Sequence, residues 1–270
     1  LVNTLYPSDV LSHDVRQGIT SFKFFFSHPT FLVFSLVLAF SMMSSKNSRP
    51  DAIKVMCLIV LFLTMRDKAF GFIGLVLMLW LFGIQKRRRL IPYLVIAAFV
   101  VLLIAWPKIE LYLSYSNSPR EAMYMGAFQL AGSFFPIGSG FGTFASSLSG
   151  EYYSGAYYAL GISAMQGLSP EFHNDIGDNG IAYYVGQFGF LGTVLFALVM
   201  FLLCEEMLRR VRPKSMERFS IIVLLGYLAI ALTVEATLTN SSGLSLAIVL
   251  GMIASGSGRG EITLSKCRVE

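Results

Sequence analysis

Long apolar runs separated by short polar segments dominate the chain. Most of these runs approach or exceed the roughly 17 residues that an α-helix needs to cross the hydrocarbon core of a bilayer. The pattern therefore predicts an all-α fold, a polytopic transmembrane helix bundle with a large periplasmic loop. The spans are predicted at residues 24–45, 52–65, 69–85, 90–106, 181–204, 219–238 and 242–255.

Most of the Lys and Arg residues fall on alternate connections between these spans and predict their orientation. Cytoplasmic loops of membrane proteins carry an excess of Lys and Arg. Basic clusters lie at 46–54, 86–89, 209–218 and 259–268, which places those four regions in the cytoplasm. The predicted layout is a periplasmic segment at 1–23, four transmembrane helices in 24–106, a large periplasmic loop at 107–180, three transmembrane helices in 181–255 and a cytoplasmic tail at 256–270.

Composition agrees with a membrane protein. Hydrophobic residues make up 55% of the 270 residues and charged residues 14%, whereas soluble domains carry about 25% charged residues. The net charge of +5 comes from clusters beside helix ends, so we expect a lipid bilayer as partner and no nucleic acid. The chain begins at Leu1 without a signal-peptide pattern, and we expect a fragment that lacks N-terminal helices.

Several cations lie on the predicted outer face, where basic residues are disfavoured. Arg66 and Lys68 flank Asp67 in a short turn between two spans. In one interpretation, Asp67 neutralises one cation and the other side chains snorkel to the interface. In the other, the turn binds a phosphate-bearing lipid, since the planar fork of Arg can hold two phosphate oxygens. Arg16 and Arg120 are either solvated or join the same anion site.

The long loop contains a glycine-rich turn, PIGSGFG, at residues 136–142. The backbone N–H groups of Gly138, Gly140 and Gly142 could cradle a phosphate. The turn lacks the Lys and Ser/Thr of a P-loop, so a purely structural turn is the other interpretation.

A polar cluster at residues 173–179 precedes the fifth span. His173 or Asp178 could remove a proton from a sugar hydroxyl as a general base. Alternatively, Asp178 or Asn179 caps the following helix. Tyrosines that could stack on sugar rings, or simply lie at the membrane interface, occupy positions 152, 153, 157 and 158.

The motifs of several enzyme classes are missing from the sequence. It has no Asp-x-Asp, HExxH, P-loop or Gly-x-Ser-x-Gly motif. We therefore predict neither a metal site nor a cofactor.

Four segments occur in a distinctive order along residues 16–192. They are Arg16 followed by FFSHP at 25–29, LTMRDKAFG at 63–71, Arg120 followed by FFPIGSGFG at 134–142, and His173-Asn174 followed by GQFGFLG at 186–192. In their order and predicted topology these segments resemble the bacterial O-antigen polymerase and ligase superfamily, and within it the exopolysaccharide polymerases.

The resemblance implies a metal-independent inner-membrane glycosyltransferase that takes a glycan from an undecaprenyl diphosphate carrier on the periplasmic face. It implies that Arg16, Arg66 and Arg120 hold the diphosphate, with Lys68 as a substitute or helper. His173-Asn174 matches the ligases and Asp178 the exopolysaccharide branch, so the base remains one or the other. The implied partners are the lipid-linked glycan, a flippase and a chain-length regulator.

Two other functions stay open at this point. A ligase would move a finished glycan onto lipid A core or a protein. A transporter would need a polar path through the bilayer, yet the predicted spans carry almost no charge at mid-depth, and Glu235 lies near a span end.

Overall fold

The computed structural model of the chain describes residues 11–16, 19–82, 118–177, 179–212 and 215–256. These residues are mostly helical, which confirms the predicted class. The predicted span at 90–106 lies outside them. The helices are α1 (Pro29–Ser44), α2 (Ala52–Leu63), α3 (Asp67–Phe82), α4 (Pro119–Ser133), α5 (Ser147–Glu151), α6 (Gly155–Ala159), α7 (Gly180–Arg210), α8 (Met216–Val234) and α9 (Ser241–Gly256).

A β-hairpin in the predicted periplasmic segment was not foreseen. Strands β1 (Leu11–Arg16) and β2 (Ile19–Phe22) pair antiparallel, with Arg16 opposite Ile19. A two-residue connection ending in Gly18, between residues with strand propensity, is the sequence signal that could have predicted it.

Side-chain caps decide where the helices begin. His28 Nδ1 accepts the N–H of Thr30 at 3.2 Å, and Pro29 opens α1, so this helix starts at residue 29 and not at residue 24 as predicted. Ser118 caps α4 by accepting the N–H of Glu121 at 3.2 Å. Pro119 at the first helical position favours a helix over about 120–131 on sequence grounds, and α4 covers that range.

Two helices, α7 and α8, are long and apolar enough to cross a membrane. The most apolar 18-residue window of α7 has a mean hydropathy of 2.2 and is only 11% buried, unlike the core helix of a soluble protein. Gly189 is non-helical and divides α7. After this break the uncharged stretch is residues 190–204, about 22 Å long at 1.5 Å per residue, and it ends where the predicted span 181–204 ends, because Glu205 and Glu206 follow. Helices α1, α2 and α9 are apolar but shorter.

The chain divides into two compact units. The first unit comprises residues 1–101, 206–230 and 242–270, and the second comprises 102–205 and 231–241. In the first unit an aromatic core joins α1, α3 and α8, because the ring of Phe72 meets Phe40 at 5.4 Å and Tyr227 at 5.9 Å, edge-on in both cases. A Cβ on Gly226 would lie 2.4 Å from Leu75, so glycine lets α8 approach α3 closely.

Lys54 stabilises the α1–α2 turn of the first unit. Its side chain is 1% exposed, and the ammonium group donates to the carbonyl oxygens of Asn47 and Arg49 and to the Asp51 carboxylate at 2.7 Å. The hydrogen bond from Lys54 lowers the pKa of Asp51. One lysine of a basic cluster predicted from charge alone thus has a packing role.

In the second unit, residues 118–177 of the predicted loop fold compactly and contain α4, α5 and α6. One face of α4 is buried at helical spacing through Met123, Ala127 and Leu130. It packs in a core with Phe144, Tyr157, Leu168, Ile176 and Tyr183.

Tyr157 organises this core. It is fully buried and accepts the N–H of Ala145 at 3.0 Å. Its hydroxyl donates to Ser149 Oγ at 2.8 Å, since the Ser149 hydroxyl donates to the Ser146 carbonyl. Burial raises the pKa of Tyr157 from 10.0 to about 12.

We expect Tyr157→Phe to lower the free energy of unfolding by about 1–3 kcal/mol, because the N–H of Ala145 loses its acceptor. The unfolded chain releases the tyrosine proton at a lower pH than the folded chain. The contribution of this group should therefore be constant below about pH 9 and fall as the pH rises from 10 towards 12. Thermal unfolding in detergent across that pH range measures both effects. The control is Tyr152→Phe, at an exposed tyrosine. If the parent and Tyr157→Phe lose the same free energy of unfolding at alkaline pH, the loss does not come from Tyr157.

Candidate functional site

Arg66 lies in a three-residue turn between α2 and α3. Met65 adopts φ 52°, a left-handed conformation that costs a non-glycine residue roughly 1–3 kcal/mol. The carbonyl of Arg66 accepts the N–H of Ala69 at 2.9 Å and so begins α3. Asp67 and Lys68 therefore belong to the helix and not to the turn, which corrects the predicted start of the third span at residue 69.

Arg66 and Lys68 are both enclosed by protein. Arg66 is 9% exposed and Lys68 4% exposed, whereas Asp67 between them is exposed. A snorkelling side chain would keep its charged head at the surface, so the enclosure argues against snorkelling, while neutralisation of one cation by Asp67 stays open. Both cations also lie at the N-terminus of α3, where the helix dipole favours negative charge. This end of α3 is suited to an anion.

His28 lies beside Arg66, with 3.1 Å between His28 Nε2 and an Arg66 Nη atom. A guanidinium only donates, so Nε2 accepts in this contact, while Nδ1 lies 3.2 Å from the backbone N of Thr30; the tautomer of His28 decides which of the two hydrogen bonds is made. We did not single out His28 from the sequence; its position before Pro29 in FFSHP was the available signal.

The glycine-rich turn lies in the second unit and packs on the segment around Gln187. The N–H of Gly140 donates to the Gln187 carbonyl at 3.0 Å, and the N–H of Gly142 donates to Gln187 Oε1 at 2.7 Å. The N–H of Gly138 donates to the Phe134 carbonyl at 3.0 Å. These donors are used within the protein, so the hydrogen bonds support the structural interpretation, and we no longer assign Gly138, Gly140 and Gly142 to substrate binding.

Gln187 holds the turn from the opposite side. It is 1% exposed, and its side-chain amide also donates to the carbonyl of Phe144. The hydroxyl of Ser139 donates to the Gly186 carbonyl at 2.9 Å. The segments FFPIGSGFG and GQFGFLG, which are far apart in sequence, thus form one structural element. A lone amide in an apolar run was the sequence signal for Gln187.

Arg120 lies in the first turn of α4 and is half-buried. Its backbone carbonyl accepts from Asn179 Nδ2 at 3.5 Å. Four residues further on, the Tyr124 hydroxyl donates to the carbonyl of Thr233 at 3.2 Å. Burial raises the pKa of Tyr124, and the positive charge of Arg120 opposes that rise. The positive charge of Arg120 therefore acts on the Tyr124 hydroxyl, which contacts the end of α8.

His173 is exposed and its Nδ1 lies 3.1 Å from the Pro170 carbonyl. The tautomer that makes this hydrogen bond donates from Nδ1 and leaves Nε2 unprotonated, as a general base requires. The neighbouring Asn174 and Asp175 line an open cavity of about 620 Å³, together with Pro119, Gln166 and Phe172.

Asn179 is the residue that caps α7, since its Oδ1 accepts the N–H of Ala182 at 3.1 Å. This confirms the capping alternative for Asn179. Asp178 lies outside the described residues.

The remaining sequence candidates are placed as follows. The backbone puts Arg16 at the end of β1 in the first unit. Tyr157 and Tyr153 are structural, because Tyr157 is buried and the Tyr153 hydroxyl donates to the Leu168 carbonyl at 2.6 Å. Tyr152 and Tyr158 are exposed and available for stacking. Among the described residues, no group of three His, Cys, Asp or Glu side chains could hold a metal ion.

The described residues thus form two candidate regions. Arg66 and His28 are in contact in the first unit, with Lys68 one helical turn or less away. The second unit contains Arg120, His173 and the cavity beside Pro119. No protein-family model, no curated protein and no solved structure matches the chain.

Proposed function

We propose that the chain is an inner-membrane glycosyltransferase that polymerises oligosaccharide repeat units linked to undecaprenyl diphosphate, as in O-antigen or exopolysaccharide synthesis. The observation that carries the proposal is the buried Arg66 beside His28 Nε2, with the buried Lys68 in the first turn of α3. Cationic donors at the positive end of a helix are the groups that a diphosphate requires.

The proposed reaction is a displacement at the anomeric carbon of the lipid-linked sugar. A hydroxyl oxygen of the acceptor glycan forms the new bond to this carbon. The bond from the carbon to the diphosphate oxygen breaks, and lipid diphosphate leaves with the electron pair. Negative charge develops on the leaving oxygen, where preorganised cations such as Arg66 and Lys68 stabilise the transition state.

The second unit, taken by itself, offers groups that suit an acceptor glycan. A base takes the proton of the attacking hydroxyl, and the unprotonated Nε2 of His173 or the carboxylate of Asp178 can do so. Asn174, Asp175 and Gln166 in the adjoining cavity offer the amide and carboxylate groups that hydrogen-bond to sugar hydroxyls. Arg120 supplies a further cation in this unit, and Arg16 another in the first.

The proposal includes the membrane layout derived from the sequence. It places 107–180 and 1–23 in the periplasm, on the side where a flipped lipid-linked glycan is available, and the basic clusters in the cytoplasm. The long apolar helices α7 and α8 support membrane insertion. The shorter α1, α2 and α9 are part of the proposed multi-pass bundle, where a locally thinner bilayer accommodates short helices.

The direct test supplies purified protein in lipid nanodiscs with a single lipid-linked repeat unit and no other acceptor. A polymerase lengthens this substrate into a ladder of products and releases lipid diphosphate. The absence of products longer than one unit would refute polymerisation. Transfer that occurs only after addition of lipid A core or an acceptor protein would identify the ligase instead.

A further inference from the structure

An exposed patch of aromatic and aliphatic side chains surrounds the glycine-rich turn of the second unit. Phe135, Ile137 and Phe141 are 72%, 69% and 75% exposed, and Phe128 and Phe134 are exposed by half or more. Contiguous apolar surface of this kind in a folded unit marks a contact with a membrane or another molecule. We call these five residues the aromatic patch.

The aromatic patch is continuous with the apolar part of α7. The rings of Phe128 and Phe135 each lie 6.4 Å from the ring of Phe190, the first residue after the break at Gly189. The N–H of Leu191 donates to the carbonyl of Pro136 at 3.1 Å. The patch therefore lies level with the start of the uncharged stretch 190–204 of α7, a helix that is long and apolar enough to cross a membrane.

The chain around the patch carries no charge. Residues 122–150 contain no Asp, Glu, Lys, Arg or His. Charged side chains are strongly disfavoured in the hydrocarbon region, so their absence over this stretch fits a segment in contact with lipid.

The glycine-rich turn also meets a requirement for backbone in an apolar environment, because its N–H groups donate to protein acceptors. Non-helical backbone is tolerated at membrane depth only where its polar groups are satisfied by protein. The N–H groups of Ile137, Gly138, Ser139, Gly140 and Gly142 all donate to protein acceptors. In an ordinary solvated loop many of these N–H groups would donate to water instead.

We propose that the aromatic patch is a membrane-contact surface, which inserts into the leaflet where the uncharged stretch 190–204 of α7 begins. The occupant is the lipid of that leaflet, at the boundary between headgroups and acyl chains. Part of the segment predicted as a water-facing loop is then an interfacial anchor that fixes the second unit against the bilayer. The proposal concerns membrane contact alone and does not depend on the catalytic assignment.

Tryptophan substitution tests the proposal. Phe135→Trp and Phe141→Trp are prepared in full-length protein reconstituted into phosphatidylglycerol and phosphatidylethanolamine vesicles, with and without bromine atoms on the upper acyl chain. The parent protein provides the background from its two tryptophans. The control is Phe172→Trp, which is 66% exposed in the same unit and lines the open cavity.

We expect brominated lipid to remove most of the added fluorescence of Phe135→Trp and Phe141→Trp and to leave that of Phe172→Trp nearly unchanged. Equal, weak quenching of all three would overturn the proposal. Blue-shifted but unquenched emission at positions 135 and 141 would also overturn it, since the patch would then be covered by protein, such as a second copy of the chain.

Discussion

Replacement of Arg66 by Ala is expected to abolish long polymer in cells while the protein remains in the membrane. If the guanidinium holds the leaving diphosphate, its loss should lower the rate about 10²–10³-fold, as for the removal of one donor to a developing oxyanion. His28 and Lys68 would remain, but neither offers the bidentate fork of arginine. The measurement is the length distribution of glycan on a gel, alongside the amount of protein by immunoblot.

Two variants separate chemistry from folding at this position. Arg66→Lys keeps a buried positive charge and should retain protein levels with partial polymerisation. Arg49→Ala removes an exposed arginine of the same unit and should polymerise like the parent. Normal polymer from Arg66→Ala would show that the diphosphate does not bind there. The same experiment with Arg120→Ala tests the cation of the second unit, and full-length glycan from both variants would refute the phosphate-binding proposal.

Replacement of Gly189 by Ala is expected to unfold or severely loosen the second unit. Gly189 has φ 63° and ψ −168°, a conformation that is essentially restricted to glycine. A Cβ there would lie 2.4 Å from the Gly138 nitrogen and 2.5 Å from the Pro136 carbonyl oxygen, so the backbones would have to separate. Strain and lost hydrogen bonds together should lower the free energy of unfolding by about 3–5 kcal/mol.

The matched control is Gly132→Ala in the last turn of α4. No atom outside its own helix backbone lies within 4 Å of a Cβ built at this position. We expect it to be neutral or to stabilise by about 0.5–1 kcal/mol, since alanine has the higher helix propensity. Thermal unfolding in detergent and limited proteolysis within residues 118–177 measure both variants. Equal melting temperatures would contradict the close backbone packing of Gly189 on Gly138.

Local signals in the sequence were sufficient for most helices. Pro119 predicted the start of α4, because a proline in the first turn acts within a few residues, and the structure adds Ser118 as its cap. The same kind of signal at His28-Pro29 was present but outweighed by the apolar run from Phe24, so the first span was predicted to start too early. The pairing of β1 with β2 was not predicted, because these strands are short and contain no long apolar run.

The candidate site was predicted less completely, because its chemistry depends on contacts between distant segments. The sequence identified Arg66 and Lys68 as unusual cations, but not their enclosure or the approach of His28 from 38 residues away. It identified the glycine-rich turn, yet left its purpose open, since only the contact with Gln187 shows where the N–H groups donate.

Composition and the period of apolar residues were enough to predict a mostly helical chain, helices apolar enough to cross a membrane and approximate helix positions, because these follow from interactions within one segment. The division of α7 at Gly189, the use of the glycine N–H groups and the pairing of Arg66 with His28 depended on tertiary structure. Each results from backbone or side chains that are far apart in sequence and meet only after the helices pack. Burial and donor geometry at such meeting points are not encoded in any single segment.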